Sequence, residues 1–170
     1  MASTYQLISS NVLSGTAASV TFSSIPSTYT DLVVRVSTRT DASPFASDRY
    51  YFNSGTANGS QTFMYGSGSA AASSADGAVT YNYTFISVPG STYTSNTFGS
   101  EEIYIPNYAG STKKPSSAFG TTENNATASY ISANANLFDL TSAITSITMY
   151  PSSGNYVSGS SFYLYGIKNS

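Results

Sequence analysis

The chain contains no cysteine and no histidine among its 170 residues, and only 8% of the residues are charged. The absence of cysteine excludes a disulfide framework and thiolate chemistry. The absence of histidine removes the commonest general base and transition-metal ligand, and with it the Ser/His and Cys/His nucleophile systems. The composition therefore argues against an enzyme and leaves a pair of carboxylates as the only formal route to hydrolysis.

Positive charge is also scarce. Six Lys and Arg residues against eight Asp and Glu residues give a net charge of −2. A nucleic-acid-binding protein needs a basic face that neutralises many phosphates, so we expect no nucleic-acid partner. No apolar run approaches the ~18 residues of a membrane span, and the first residues lack the basic and apolar regions of a signal peptide. We expect neither membrane association nor export by the signal-peptide route.

Hydroxyl and aromatic side chains are abundant instead. Ser and Thr occupy 55 of the 170 positions, and aromatic residues make up 14% of the chain, including 15 Tyr. A disordered chain would be poor in aromatics and rich in charge. Tyr, Thr, Val and Phe favour strands, while Gly, Ser, Asn and Pro favour the turns between them. The composition and length predict a single antiparallel all-β domain over residues 1–170.

The clearest strand pattern lies in Ser19–Thr40, SVTFSSIPSTYTDLVVRVSTRT. A short alternating segment precedes a turn at Pro26, and a longer one follows it, with Leu32, Val34 and Val36 on one face. Alternation with a period of two indicates strands that have one buried face. We therefore predict that this apolar face belongs to the core.

The rest of the chain repeats this pattern. Further strands are predicted at Thr4–Leu13, Arg49–Phe52, Gln61–Tyr65, Val79–Val88, Thr97–Ile105, Ser116–Thr122, Ala126–Leu137, Ile144–Tyr150 and Ser161–Ile167, with a helix as the alternative for Ala126–Leu137. The last two flank PSSGNYVSGS and are predicted to form a hairpin. Gly66–Gly77, of low complexity, is predicted to be an exposed loop. Eight to ten short strands between turns predict a jelly-roll-like β-sandwich.

Four acidic residues are candidates for chemistry. Glu101 and Glu102 are adjacent, and neighbours on a strand point to opposite faces, so they are predicted to be solvated and unable to act together. Asp41 and Asp48 bracket a short segment and are interpreted as turn residues, with a shared Ca²⁺ as the alternative. We predict no catalytic residue, no metal and no cofactor.

The basic residues are candidates for partner contacts. Arg35 and Arg39 share a predicted strand face and suit an acidic partner. The alternative is pairing inside the protein with one of three carboxylates, Asp31, Asp48 or Asp139. Lys113 and Lys114 lie in a polar loop and are interpreted as solvated, with contact to a partner as the alternative.

Four stretches of the chain carry a family resemblance. They are TFSSIPSTYTDLVVRVSTRT near the start, SEEIYIPNYAGS at Ser100–Ser111, TTENNAT at Thr121–Thr127, and AITSITMYPSSGNYVSGSSFYLYGI at Ala143–Ile167. In these stretches the chain resembles small virion structural proteins of tailed phages, notably those of cyanobacteria and marine bacteria. Gly66–Gly77 and the segment DASPFAS have no counterpart in the resemblance.

The resemblance implies a capsid decoration (cement) protein on the outer surface of the virion, made in the host cytoplasm. Such a protein would bind the major capsid protein, bridge its subunits and self-associate, as a homotrimer at threefold positions. Tyr108, in the second matching stretch, joins Arg35, Arg39, Lys113 and Lys114 as an expected interface residue. The alternative is a tail- or fibre-associated module that attaches to host-surface glycans.

Overall fold

The computed structural model describes residues 4–56, 58–127 and 129–168, and within these ranges it contains twelve β-strands and no helix. The strands are β1 (Tyr5–Val12), β2 (Val20–Phe22), β3 (Asp31–Ser37), β4 (Phe45–Phe52), β5 (Gly59–Gly66), β6 (Ala71–Val79), β7 (Asn82–Pro89), β8 (Ser100–Ile105), β9 (Lys114–Glu123), β10 (Ser129–Phe138), β11 (Ile147–Pro151) and β12 (Ser161–Ile167).

The strands form two sheets, which we call the large and the small sheet. The large sheet has eight strands in the order β1-β12-β3-β8-β9-β10-β5-β6, and the small sheet has four in the order β2-β11-β4-β7. Every pairing between these strands is antiparallel. The predicted all-β antiparallel sandwich is confirmed, with twelve strands rather than eight to ten. The jelly-roll connectivity stays a prediction.

The core lies between the two sheets, and β3 supplies its predicted face. Leu32, Val34 and Val36 are at most 5% exposed and belong to one hydrophobic cluster with Ile147 and Met149 of β11. The cluster contains side chains of both sheets, so burial of this face joins the sheets through the hydrophobic effect. The prediction for this face is confirmed.

Val33, on the opposite face of β3, is also buried, at 1% exposure. Its register partners on the neighbouring strands are Tyr165 and Tyr104. Directly opposed side chains on antiparallel strands lie about 5 Å apart, so the two rings flank the small valine. Alternation along β3 predicts that Val33 is exposed, but the neighbouring rings bury it.

Eight of the eleven connections between the described strands pass from one sheet to the other, and those that follow β2 and β11 are two of them. β2 and β11 belong to the small sheet, whereas β3 and β12, which follow them, belong to the large sheet. The predicted hairpin of the last two strands is therefore wrong. Its connection is long enough to cross the sandwich, and on the way Tyr156 is fully buried and forms bridges with Ala17 and Thr40.

The predicted loop at Gly66–Gly77 is wrong from Ala71 onward, because that part forms β6 at the edge of the large sheet. The turn before it is closed by the Ser67 N–H, which donates to the Ala70 carbonyl at 2.9 Å, and Gly68 supplies a φ of +82°. Ladder hydrogen bonds need only the backbone, so a segment of small residues can add to the open edge of β5.

Candidate functional site on the outer face of the large sheet

Glu101 and Glu102 point to opposite faces of β8, as predicted, so they cannot converge on one substrate. Glu101 lies between the sheets at 4% exposure, whereas Glu102 is exposed. The prediction that both are solvated is therefore wrong for Glu101. In the ranges that the structure describes, no three acidic side chains come together in a way that could hold a metal ion.

Asp41 and Asp48 have separate partners. The exposed Asp41 accepts hydrogen bonds from the backbone N–H of Asn155 at 2.7 Å and from its side-chain amide at 3.1 Å, which lower the pKa of Asp41. Asp48 is fully buried in β4 and accepts hydrogen bonds from Thr38 and Tyr156. The interpretation of both as turn residues is wrong for Asp48, and the two carboxyl groups do not face a common site.

Arg35 lies on the outer face of the large sheet, the face directed away from the small sheet. Its Nε donates to Glu102 Oε2 at 2.7 Å, and the two side chains are 55% and 46% exposed. The predicted pairing with Asp31, Asp48 or Asp139 is wrong for Arg35. An exposed ion pair of this kind contributes at most about 1 kcal/mol, so both side chains can be redirected to a partner at little cost.

Arg39 lies beyond the end of β3, so it does not share a strand with Arg35. Its guanidinium donates to the backbone carbonyls of Tyr93, Thr94 and Thr97 at 3.1, 2.9 and 2.9 Å. These bonds fasten the loop between β7 and β8 to the rest of the chain. The structure thus assigns Arg39 an internal partner, and its contact with another protein stays a prediction.

The two lysines differ although they are adjacent. Lys114 is fully buried, and its Nζ donates to the carbonyls of Gly110 and Thr112 at 2.5 Å each. Burial lowers the pKa of Lys114. The prediction that both lysines are solvated is wrong for Lys114. Lys113 is exposed and lies 3.2 Å from a carboxylate oxygen of Asp139.

Tyr108 is fully buried. Its hydroxyl donates to the carbonyl of Pro26 and accepts a hydrogen bond from the N–H of Tyr29 at 3.4 Å. The side chain therefore holds the turn between β2 and β3 and presents no surface of this chain to a partner.

The outer face is organised in rows of register partners. One row crosses all eight strands and contains Ser10, Tyr163, Arg35, Glu102, Phe119, Ala133, Met64 and Ser73. The next row contains Leu7, Tyr165, Val33, Tyr104, Ser117, Ala135, Thr62 and Ala75. The part on β1, β12, β3 and β8 carries tyrosines and the ion pair, and we call it the tyrosine half. The part on β9, β10, β5 and β6 we call the apolar half.

The apolar half exposes large hydrophobic side chains. Met64, Phe119, Ile131 and Leu137 are 63%, 49%, 51% and 38% exposed. The positions between them in the two rows hold Ala, Ser and Thr, and none of them carries a charge. A group of large exposed apolar side chains on a sheet face is typical of an interaction surface.

Strand β10 is inverted relative to an ordinary amphipathic strand. Its polar residues Ser132, Asn134 and Asn136 are only 2%, 5% and 5% exposed, whereas Ile131 and Leu137 point to solvent. Phe138, the last residue of the strand, still packs in the core. The side-chain amide of Asn134 donates to the carbonyl of Tyr83 at 2.9 Å, and that of Asn136 to the hydroxyl of Tyr50 at 2.7 Å. The side-chain amides of the two asparagines therefore have partners in the small sheet, whereas the Ser132 hydroxyl is buried without a hydrogen-bond partner among the described residues.

Sequence reasoning missed this surface. The alternation of Ile131, Ala133, Ala135 and Leu137 with Ser and Asn was visible, and the usual rule places the apolar set in the core. The run of Ser132, Asn134 and Asn136 at alternate positions was the one signal that this strand has a polar face able to pack against other polar groups.

Two grooves run across the apolar half. One, of about 540 Å³, is lined by Met64, Ala72, Phe119 and Ile131 among others. The second, of about 670 Å³, lies along Thr62, Ser117, Leu137 and Tyr104 among others. The grooves exist because small side chains in the middle strands stand between larger ones. The side chains of a partner can therefore insert into these grooves.

No family model, no curated protein and no solved structure matches the chain. Over the residues that the structure describes, no helix has the length and hydropathy required to cross a membrane. The outer face of the large sheet is therefore the feature of the molecule from which a function is inferred.

Proposed function

We propose that this protein is a capsid decoration (cement) protein of a tailed phage, bound to the outer surface of the head through the apolar half of the outer face. Its partner in this proposal is the major capsid protein, whose neighbouring subunits it bridges. The protein also self-associates, as a homotrimer at threefold positions. The four stretches that resemble small virion structural proteins support the class of protein, and the outer face supports the mode of binding.

The inverted polarity of β10 is the observation that carries the proposal. Burying a side chain the size of Ile or Leu stabilises a protein by about 1.5–3 kcal/mol. A strand that faces water on its outer side would gain from placing these residues inward, yet Ile131 and Leu137 point outward and the asparagines inward. A second surface that covers the outward side chains accounts for this arrangement.

Low charge fits the same role. The outward positions of the two central rows in the apolar half are uncharged, and the ion pair of Arg35 and Glu102 is neutral as a unit. Such a face binds by apolar burial and hydrogen bonding, so its affinity is expected to depend weakly on salt. A ligand that binds only the assembled lattice stabilises that lattice by mass action.

The test uses phage heads assembled without this protein, to which purified protein is added. We expect wild-type protein to co-sediment with the heads and to raise their resistance to heat. Ile131→Asp is expected to lower binding at least tenfold while leaving the melting temperature of the free protein unchanged within a few degrees.

Leu7→Asp is the matched control, because Leu7 is 52% exposed against 51% for Ile131 but lies on β1, outside the apolar half. Normal binding by Ile131→Asp, or equal loss in both variants, would show that the apolar half is not the contact surface. Quantitative mass spectrometry of virions gives the location, since hundreds of copies per particle are expected for a head protein.

The tyrosine half favours the second candidate, a tail- or fibre-associated module that attaches to host-surface glycans. Tyr104 lines the larger groove beside small hydroxyl residues, and an aromatic ring among hydroxyl groups suits a sugar. A few tens of copies per virion at the tail, together with binding to host-surface polysaccharide that Tyr104→Ala removes, would establish this function in place of the first.

A further inference from the structure

A pair of buried carboxyl groups joins the two sheets. Asp48 is on β4 of the small sheet and Glu101 is on β8 of the large sheet. They are 0% and 4% exposed, and Thr84, the register partner of Asp48 on β7, donates a hydrogen bond to Glu101 at 2.6 Å, which places the two carboxyl groups next to each other. Neither the proposed virion role nor the outer face uses this pair.

The hydroxyl groups around the pair satisfy three of its four oxygens. Thr38 Oγ1 donates to one oxygen of Asp48 at 2.9 Å, and the Tyr156 hydroxyl donates to the other. Thr84 Oγ1 donates to Glu101 Oε1 at 2.6 Å. Glu101 Oε2 is buried and has no hydrogen-bond partner of normal geometry in the part of the chain that the structure describes, although the Ser87 hydroxyl lies near enough to Glu101 to lower its pKa.

No positive charge on the described residues forms an ion pair with either carboxyl group. The ion pairs found among the described residues involve Glu102 and Asp139, not Asp48 or Glu101. The other titratable groups that face the pair are the phenols of Tyr50 and Tyr156, whose pKa values burial raises, so both stay neutral. Two adjacent buried anions would each cost several kcal/mol, which hydrogen bonds from hydroxyl groups offset only in part. A bound proton removes one of the two negative charges.

We propose that Asp48 and Glu101 share one proton and form a pH-sensitive latch between the small and the large sheet. In the latched state the carboxyl of Glu101 is protonated at Oε2 and donates to the carboxylate of Asp48, which completes the hydrogen bonding of the pair. When the proton leaves to solvent, two negative charges face each other in the core and the latch opens. The segments that hold Thr38 and Tyr156 are then released with it.

The pKa shifts support this geometry and give the direction of the effect. Burial raises the pKa of Asp48 from 3.8 to about 6, and burial together with the charge of Asp48 raises the pKa of Glu101 well above 4.5. The folded protein therefore holds more protons than the unfolded chain above about pH 4. Stability is greatest near that pH and falls as the pH rises through 6 and beyond.

Other carboxyls act in a different pH range. Hydrogen bonds from Asn155 lower the pKa of Asp41, and hydrogen bonds from Tyr83 and Gln61 lower that of Asp76. Their contribution is lost only as the pH falls below their ordinary value of 3.8. Buried tyrosines such as Tyr50 and Tyr156, whose pKa values are raised from 10.0, act only at higher pH. A decline of stability between about pH 4.5 and 9 therefore reports the latch.

The experiment follows the melting temperature between about pH 4.5 and 9. For the wild-type protein we expect a fall of roughly 5–10 °C over this range as the pair loses its shared proton. Glu101→Gln keeps a hydrogen-bond donor without the titrating proton, so it is expected to flatten the dependence and to melt higher than wild type at pH 9. Glu102→Gln is the matched control, adjacent but exposed, and should keep the wild-type slope.

A wild-type melting temperature that is flat or rises toward pH 9 would overturn the proposal, as would an equal slope in Glu101→Gln. If that variant does not fold, infrared spectroscopy of the folded wild-type protein at neutral pH decides the question. A protonated carboxyl C=O band that disappears at alkaline pH supports the latch, and the lack of such a band refutes it.

Discussion

Val34 is the residue whose replacement tests the core most directly. It is 1% exposed, and its register partners on the two neighbouring strands are Leu164 and Ile103, both buried. Val34→Ala removes two methyl groups and leaves a cavity, so we expect a loss of about 2–3 kcal/mol in the free energy of unfolding. Val34→Asp places a carboxylate among apolar side chains, at a cost of several kcal/mol.

A domain is stable by about 5–15 kcal/mol in total, so Val34→Asp is expected to abolish folding. Urea denaturation followed by circular dichroism measures the series. Arg35→Ala is the matched control, because it is the next residue but lies on the exposed face, and it should change stability by at most about 1 kcal/mol. A Val34→Asp protein that is soluble and unfolds at the wild-type urea concentration would refute this account of the core.

Two further changes test specific packing. Lys114→Ala removes the ammonium group that donates hydrogen bonds to two backbone carbonyls. We expect the free energy of unfolding, measured by urea titration, to fall by about 2–4 kcal/mol. A fall below about 0.5 kcal/mol would mean that the buried lysine does not stabilise the fold. Gly166→Ala would bring a Cβ to 2.3 Å from the ring of Tyr29, so overpacking should cost about 1–3 kcal/mol. Gly15→Ala, which meets nothing within 4 Å, is its control and should melt as wild type.

The inverted strand β10 and the proposed pH-sensitive latch lie in different parts of one sandwich. The small-sheet strand β7 packs against β9 and β10, so the polar residues of β10 meet polar groups of the small sheet. This leaves the outward side of the large sheet as the place for large apolar side chains. Variants on the outer face are therefore expected to change binding to phage heads but not the pH dependence of the melting temperature. Variants of Asp48 or Glu101 are expected to change that pH dependence but not the binding.

Period-two alternation was enough to predict the all-β class, most strand positions and the buried face of β3. These are local properties, because successive side chains on a strand point to opposite faces whatever the strand pairs with. The opposed directions of Glu101 and Glu102 follow from the same rule. The scarcity of charge and the absence of histidine and cysteine likewise follow from composition alone.

The sequence by itself therefore determined which side chains share a face, and only the tertiary structure decided which face is inside. Sheet membership depends on pairing between distant segments, which is why the last two strands separate into different sheets. A strand such as β10 buries its polar side because a matching polar surface lies opposite, and no local pattern contains that surface. The burial of Asp48 and Glu101 has the same origin, since their hydrogen-bond partners Tyr156 and Thr84 come from other strands and connections of the sandwich.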